Sequence, residues 1–270
     1  MPYIVLSVVL AILWHLTVAR AAPRFGLLKV NFRNDLIMSS YGLIEFPYIA
    51  TAAIILCASG VVECTRVWQY LTVMGVMWIL GAIDDIWGSR EVSGFKGHFR
   101  KLLFEGKVTT GAVKALGGGL TALGAGFWLY NDSVFFALQA GSVIALSSNL
   151  INLFDLRPGR AVAIIFFGLV VTYIVKCGRL VAMPLVGAIA AIALAFGIVD
   201  ARGKAMMGDS GSNSLGAALG MTIALSAPNW MLPAIILMAA VHIYSEKRSI
   251  SGAIESNRLL KEIDRRLGVR

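Results

Sequence analysis

Trp78-Ile79-Leu80-Gly81-Ala82-Ile83-Asp84-Asp85 ends one of the most apolar runs of the chain on two adjacent carboxylates. An ionised Asp at a bilayer centre costs about 2.5–3.5 kcal/mol. The pair is therefore expected where a helix leaves the membrane. Two further polar clusters recur at expected helix ends, Asn149-Leu150-Ile151-Asn152-Leu153-Phe154-Asp155 and Gly208-Asp209-Ser210-Gly211. If all three face one compartment, they predict a metal-and-phosphate site at a membrane surface.

Working outward, the composition supports that reading. Of 270 residues, 58% are hydrophobic and 14% charged, with mean hydropathy +0.78; a soluble domain carries about 25% charged residues. Only helices or closed barrels satisfy backbone polar groups in lipid, and the apolar runs lack the strict alternation of barrel strands. The expected fold class is all-α, a polytopic membrane helix bundle. Runs of spanning length, about 17–25 residues, lie near 3–19, 43–60, 67–83, 111–130, 134–150, 180–199 and 229–244, with shorter ones near 161–175 and 213–227. These make about nine transmembrane helices in a domain covering 1–244, followed by a basic amphipathic cytoplasmic tail over 245–270. The first run has its positive charges after it, unlike a secretory signal, and is expected to remain as a span.

Charge sets the orientation. All of the 24 Lys and Arg except Arg66, Lys176 and Arg179 fall in alternate loops and the tail. Cytoplasmic loops carry such an excess, so the N-terminus is expected outside and the C-terminus, with all three polar clusters, in the cytoplasm. The net charge of +9 fits those loops and anionic lipid; no nucleic-acid recognition motif accompanies it, and no nucleic acid is expected. Cys57, Cys64 and Cys177 show no metal-ligand spacing, and a Cys64–Cys177 disulfide outside the membrane is conceivable. In the tail, Leu259, Leu260, Ile263 and Leu267 share one helical face while Arg258, Lys261, Arg265 and Arg266 lie elsewhere. That pattern predicts an interfacial helix on anionic lipid.

The clusters suggest chemistry by residue type. Asp84 and Asp85 point about 100° apart on a helix, so the two need not share one job. Mg²⁺ takes a few carboxylates together with phosphate oxygens and water, and Asp84 and Asp85 with a third Asp from elsewhere would suit it. Asn149, Asn152 and Asp155, at i, i+3 and i+6, line one side of a helix and suit sugar hydroxyls or phosphate; interhelical hydrogen bonding is the alternative. Arg157 and Arg160 follow and offer paired donors to phosphate, as Lys96 and Arg100 do from the loop before the fourth run. Gly208-Asp209-Ser210-Gly211 opens a helix whose free N–H groups would favour phosphate, although Asp209 could equally be a cap. His15, His98 and His242 read as bystanders. No P-loop is present, since Gly203-Lys204 lacks its spacing.

The three motifs in this order resemble the polyprenyl-phosphate N-acetylhexosamine-1-phosphate transferase family, which includes phospho-N-acetylmuramoyl-pentapeptide transferase. Ile83-Asp84-Asp85 is similar to its paired-Asp motif, Asn149 to Asp155 to its NxxNxxD pattern, and Met207 to Ser212 to its GD-x-GS pattern. The resemblance implies a bundle of roughly ten helices with a cytoplasmic active site in a bacterial plasma membrane. It implies Mg²⁺-dependent transfer of a sugar-1-phosphate from a UDP-sugar to a polyprenyl phosphate, releasing UMP, in cell-wall biogenesis. By carry-over Asp209 would be the metal ligand, Asp84, Asp85 and Asp155 catalytic, and Asn152 part of the nucleotide-sugar site. The expected partners are the membrane, polyprenyl phosphate, a nucleotide sugar and a second copy of the chain as a homodimer. Where the family continues DGxDG, this chain has Asp155-Leu156-Arg157-Pro158-Gly159, and the family's histidine-rich loop is replaced by Ser245-Glu246-Lys247-Arg248. The resemblance is thus to a divergent member. An inactive relative that binds lipid-linked glycan or scaffolds envelope assembly is the alternative.

Overall fold

A computed structural model describes residues 2–31, 34–88 and 109–269. Among these, α-helices stand at all nine expected apolar segments: α1 (Pro2–Ala21), α2 (Gly42–Ala58), α3 (Cys64–Trp87), α4 (Thr110–Leu129), α5 (Val134–Phe154), α6 (Arg160–Val175), α7 (Met183–Ala201), α8 (Gly208–Ser226) and α9 (Met231–Lys247). Five are long and apolar enough to cross a membrane: α3, α4, α5, α7, and α9 with the short turn before it. The chain is a multi-pass, all-α bundle of membrane type. Its outer surface fits that class, because Leu120, Phe167, Ile236 and Leu237 are each more than 60% exposed. Such a display of large apolar side chains is suited to lipid.

The centre of the bundle is α8. Its residues from Ser210 to Thr222 are all buried, and it packs chiefly against α5 and α3, with α2, α6 and α7 around it. This helix is built from small residues, which let backbones approach without side chains between them. Gly42 abuts Gly211, Gly216 meets Ser147 and Ser148, and Gly220 meets Ile144. Gly81 of α3 makes a comparably close approach near the polar end, since a Cβ there would fall on the Asp209 carbonyl and the Ser210 amide. Gly81→Ala should therefore destabilise the fold by about 1–3 kcal/mol through overpacking. Thermal unfolding of purified protein measures it.

Two features depart from a pure helix bundle. In the first expected cytoplasmic loop, β1 (Leu28–Val30) and β2 (Leu36–Met38) pair as a short antiparallel ribbon. It ties to the segment before α8 through Met206 N donating to Met38 O at 2.8 Å, while Tyr41 N and Gly42 N donate to Met206 O and Met207 O. The starts of α2 and α8 are thereby fixed together. The tail forms two helices, α10 (Ile250–Ser256) and α11 (Arg258–Leu267), parted at Asn257, whose side chain caps α11 by accepting from Leu259 N and Leu260 N.

The tail also docks on the body. Asp264 is buried and receives both Arg160 Nε (2.6 Å) and Nη2 (2.9 Å), while Arg160 Nη1 donates to Ser251 Oγ at 2.8 Å. Val269 N donates to Ala201 O at 2.8 Å. Leu260, Ile263 and Leu267 line an apolar cavity of about 530 Å³ against Phe154, Ile164 and Tyr244, so the apolar face of α11 is turned partly to the protein. Leu259, 69% exposed, remains outside. The disulfide joins Cys57 to Cys64 across the α2–α3 turn, correcting the Cys64–Cys177 pairing considered above, and Cys177 is free and exposed.

Candidate functional site

The polar ends of α3, α4, α5 and α8 meet at one end of the bundle. Asp84 and Asp85 occupy the last turn of α3 and face different partners, as the 100° step between them requires. Asp84 Oδ2 accepts from Lys114 Nζ at 2.9 Å, and the same ammonium donates to Asp209 Oδ2 at 2.7 Å. Asp85 instead accepts from two amides at the start of α8, Asp209 N to Oδ1 (2.9 Å) and Ser210 N to Oδ2 (3.0 Å). Asp155, at the C-terminal end of α5, accepts from Gly208 N at 2.9 Å. Gly208 has φ +74°, a left-handed conformation that glycine adopts without Cβ strain. That turn aims its amide at Asp155.

These bonds show where the expected site residues sit. The first three amides of a helix have no internal partner; here Asp155 and Asp85 satisfy all three, so α8 does not present them to a phosphate. Asp85 and Asp155, expected to be catalytic, accept from the Gly208, Asp209 and Ser210 amides, and so seat Asp209. Burial first, and then the charge of Asp200, push the Asp155 carboxyl well above the usual carboxylate range. Arg160, expected at a phosphate, has its guanidinium bonded to Asp264 and Ser251; it anchors the tail. Arg157 is exposed, Asn149 is exposed, and Asn152 is half-buried on the strip that ends in Asp155. Lys96, Arg100 and His98 lie outside the described residues. His15 bonds Tyr48 Oη across α1 and α2, and His242 Nδ1 lies 2.7 Å from Met238 O within α9.

Sequence reasoning missed Lys114. It is the sole charged residue of α4, set one turn into a glycine-rich apolar helix. That isolation was the available signal, but Lys114 was counted among the loop cations. Asp200, at the end of α7, is 2% exposed, and its Oδ2 accepts from Gly159 N at 2.7 Å. It thereby pins the turn between α5 and α6.

No protein-family model matches this chain, and no curated protein matches it. The functional reading therefore rests on the site. Among the described residues no three His, Cys, Asp or Glu side chains converge as a metal cage. Asp84 and Asp209 do share one cation, the Lys114 ammonium, so two half-buried carboxylates already converge on a positive charge. Mg²⁺ is commonly held by one or two carboxylates, with phosphate oxygens and water completing its shell. The pair fits that ion.

Proposed function

We infer that the chain is a multi-pass sugar-1-phosphate transferase that moves a sugar phosphate from a nucleotide sugar, with UDP the expected nucleotide, to polyprenyl phosphate in bacterial envelope glycan synthesis. The observation that carries this reading is the Asp84–Lys114–Asp209 cluster at the polar end of an apolar helix bundle. In the reaction, an oxygen of the lipid phosphate attacks the β-phosphorus of the nucleotide sugar. A new P–O bond forms, the bond to the bridging oxygen breaks, and the nucleoside monophosphate departs with that oxygen. A phosphate monoester is already ionised near neutral pH, so positioning and charge compensation matter more than proton removal.

The residues divide that work. Asp84 and Asp209 would hold Mg²⁺, which supplies charge neutralisation on the diphosphate when bound. Lys114 carries a fixed positive charge into the same space and is available to the phosphates once the carboxylates take up the metal. Asp85 and Asp155 keep the first turn of α8 in place, and Asn152 lies beside them for the nucleotide-sugar. The apolar helices around the site give the polyprenyl chain a route from the bilayer.

The cytoplasmic placement of the site, with nine spans and the N-terminus outside, is part of the proposal. It is supported by the loop charges and by the Cys57–Cys64 disulfide, which belongs to an oxidising compartment. Cys64 begins α3 and Asp84 lies in its last turn, so about 30 Å of helix separates them. The test of the reaction is radiolabel exchange between UMP and a panel of UDP-sugars, with polyprenyl phosphate and Mg²⁺. Exchange with at least one sugar supports the transferase. None, in folded protein with Mg²⁺ and lipid present, supports a binding or scaffolding relative.

A further inference from the structure

The crossing of α2 and α8 holds polar groups that the site above does not use. Glu45 is the sole charged residue of α2. It is 1% exposed, and neither carboxylate oxygen has a hydrogen-bond partner among the described residues. Tyr41 lies one helical turn earlier on the same face, with Glu45 N donating to Tyr41 O at 3.0 Å. Its hydroxyl is buried and equally without a partner. Opposite them, Gly211 of α8 lies against Gly42 and the Glu45 Oε2 atom. Ser214, one turn along the Gly211 face, buries a second hydroxyl with no partner among the described residues.

Such groups are seldom left alone. A buried hydroxyl without a hydrogen bond costs about 1–3 kcal/mol, and an isolated buried carboxylate costs far more unless it is neutralised or coordinates a cation. Native proteins carry few of these atoms, and here they gather where two helices touch. The surroundings are acidic, because Glu45, Asp200 and Asp155 all act on Tyr41 through their charge.

We propose that the crossing of α2 and α8 binds a small monovalent cation, such as Na⁺, on the Glu45 carboxylate and the Tyr41 and Ser214 hydroxyl oxygens. An oxygen-only set of this kind suits a hard cation. Of the three proposed ligands only Glu45 carries charge, which a monovalent ion balances; Asp200 and Asp155 are engaged by the Gly159 and Gly208 amides instead. The site is separate from the Asp84–Asp209 pair, and it does not depend on the transferase reading. Its position gives it a purpose: the same crossing joins Tyr41 and Gly42 to Met206 and Met207, immediately before α8 and its Asp209. The cation would therefore hold the start of α8 against α2.

The test is thermal unfolding of the purified full chain in NaCl and in N-methyl-D-glucamine chloride at equal ionic strength, where only Na⁺ is small enough to enter. The wild type should unfold about 3–6 °C higher in NaCl at a Na⁺ concentration ten times its Kd. Glu45→Gln, which keeps the side-chain shape and removes the charge, should unfold at one temperature in both salts. Ser214→Ala should need several-fold more Na⁺ for half the rise, and this second variant decides the matter if Glu45→Gln does not fold. Equal melting of the wild type in the two salts would mean that water or a proton satisfies Glu45, and it would overturn the proposal. So would a full Na⁺ response in Glu45→Gln, or an unchanged half-point in Ser214→Ala.

Discussion

Asp264→Ala is expected to destabilise the protein by about 3–5 kcal/mol, the usual consequence of removing one partner of a buried ion pair. The substitution leaves the Arg160 guanidinium, 4% exposed, without either oxygen that receives it. The loss should reach beyond the tail. Arg160 follows Gly159, whose amide is held by Asp200, and Val269 beyond α11 bonds Ala201. The tail thus joins the α5–α6 turn, which starts at Asp155, to the end of α7. Thermal or denaturant unfolding in detergent measures the change. Arg160→Met with Asp264→Leu is the control, because an apolar pair in the same space should recover most of the loss. A near-neutral Asp264→Ala would mean that the tail rests on the body without clamping it.

Asp85→Ala should cost about 2–4 kcal/mol, since two amides at the start of α8 lose their acceptor and each buried unpaired amide costs about 1–3 kcal/mol. Its neighbour should behave differently. The Asp84 carboxylate bonds side chains, the Lys114 ammonium among them, so Asp84→Asn should lower the melting temperature less than Asp85→Ala does. Unfolding of the two variants side by side measures this. Equal melting of Asp84→Asn and Asp85→Ala would contradict the assignment of Asp85 to the helix cap.

The contrast shows how much was legible in sequence. Apolar run length placed a helix at each of nine segments, because burial in lipid or in the bundle selects the same residues. The three polar motifs were also visible, and the fold brings Asp84, Asp85, Asp155 and Asp209 to one end of the bundle. What each carboxylate bonds was not visible. Asp85 and Asp155 act as caps only because α8 docks between α3 and α5, a tertiary arrangement that no local spacing encodes. Arg160 looked like a phosphate ligand beside Arg157, while its partner Asp264 lies 104 residues away. Lys114 and Glu45 were the readable signals left unread, each a lone charge in an otherwise uncharged helix. A lone ionisable residue in such a helix implies a partner or a ligand. The β1–β2 ribbon escaped because two three-residue strands carry too little periodicity to register.

Whether Asp84, Lys114 and Asp209 form a phosphate-transfer site is tested most directly by UMP–UDP-sugar exchange in purified wild type and Asp209→Asn. The wild type should show Mg²⁺- and lipid-dependent exchange. In Asp209→Asn, exchange should fall by about 10³-fold or more, as for loss of a group that organises transition-state charge, while the protein still inserts and melts within a few degrees of wild type. Undiminished exchange in Asp209→Asn would contradict that site.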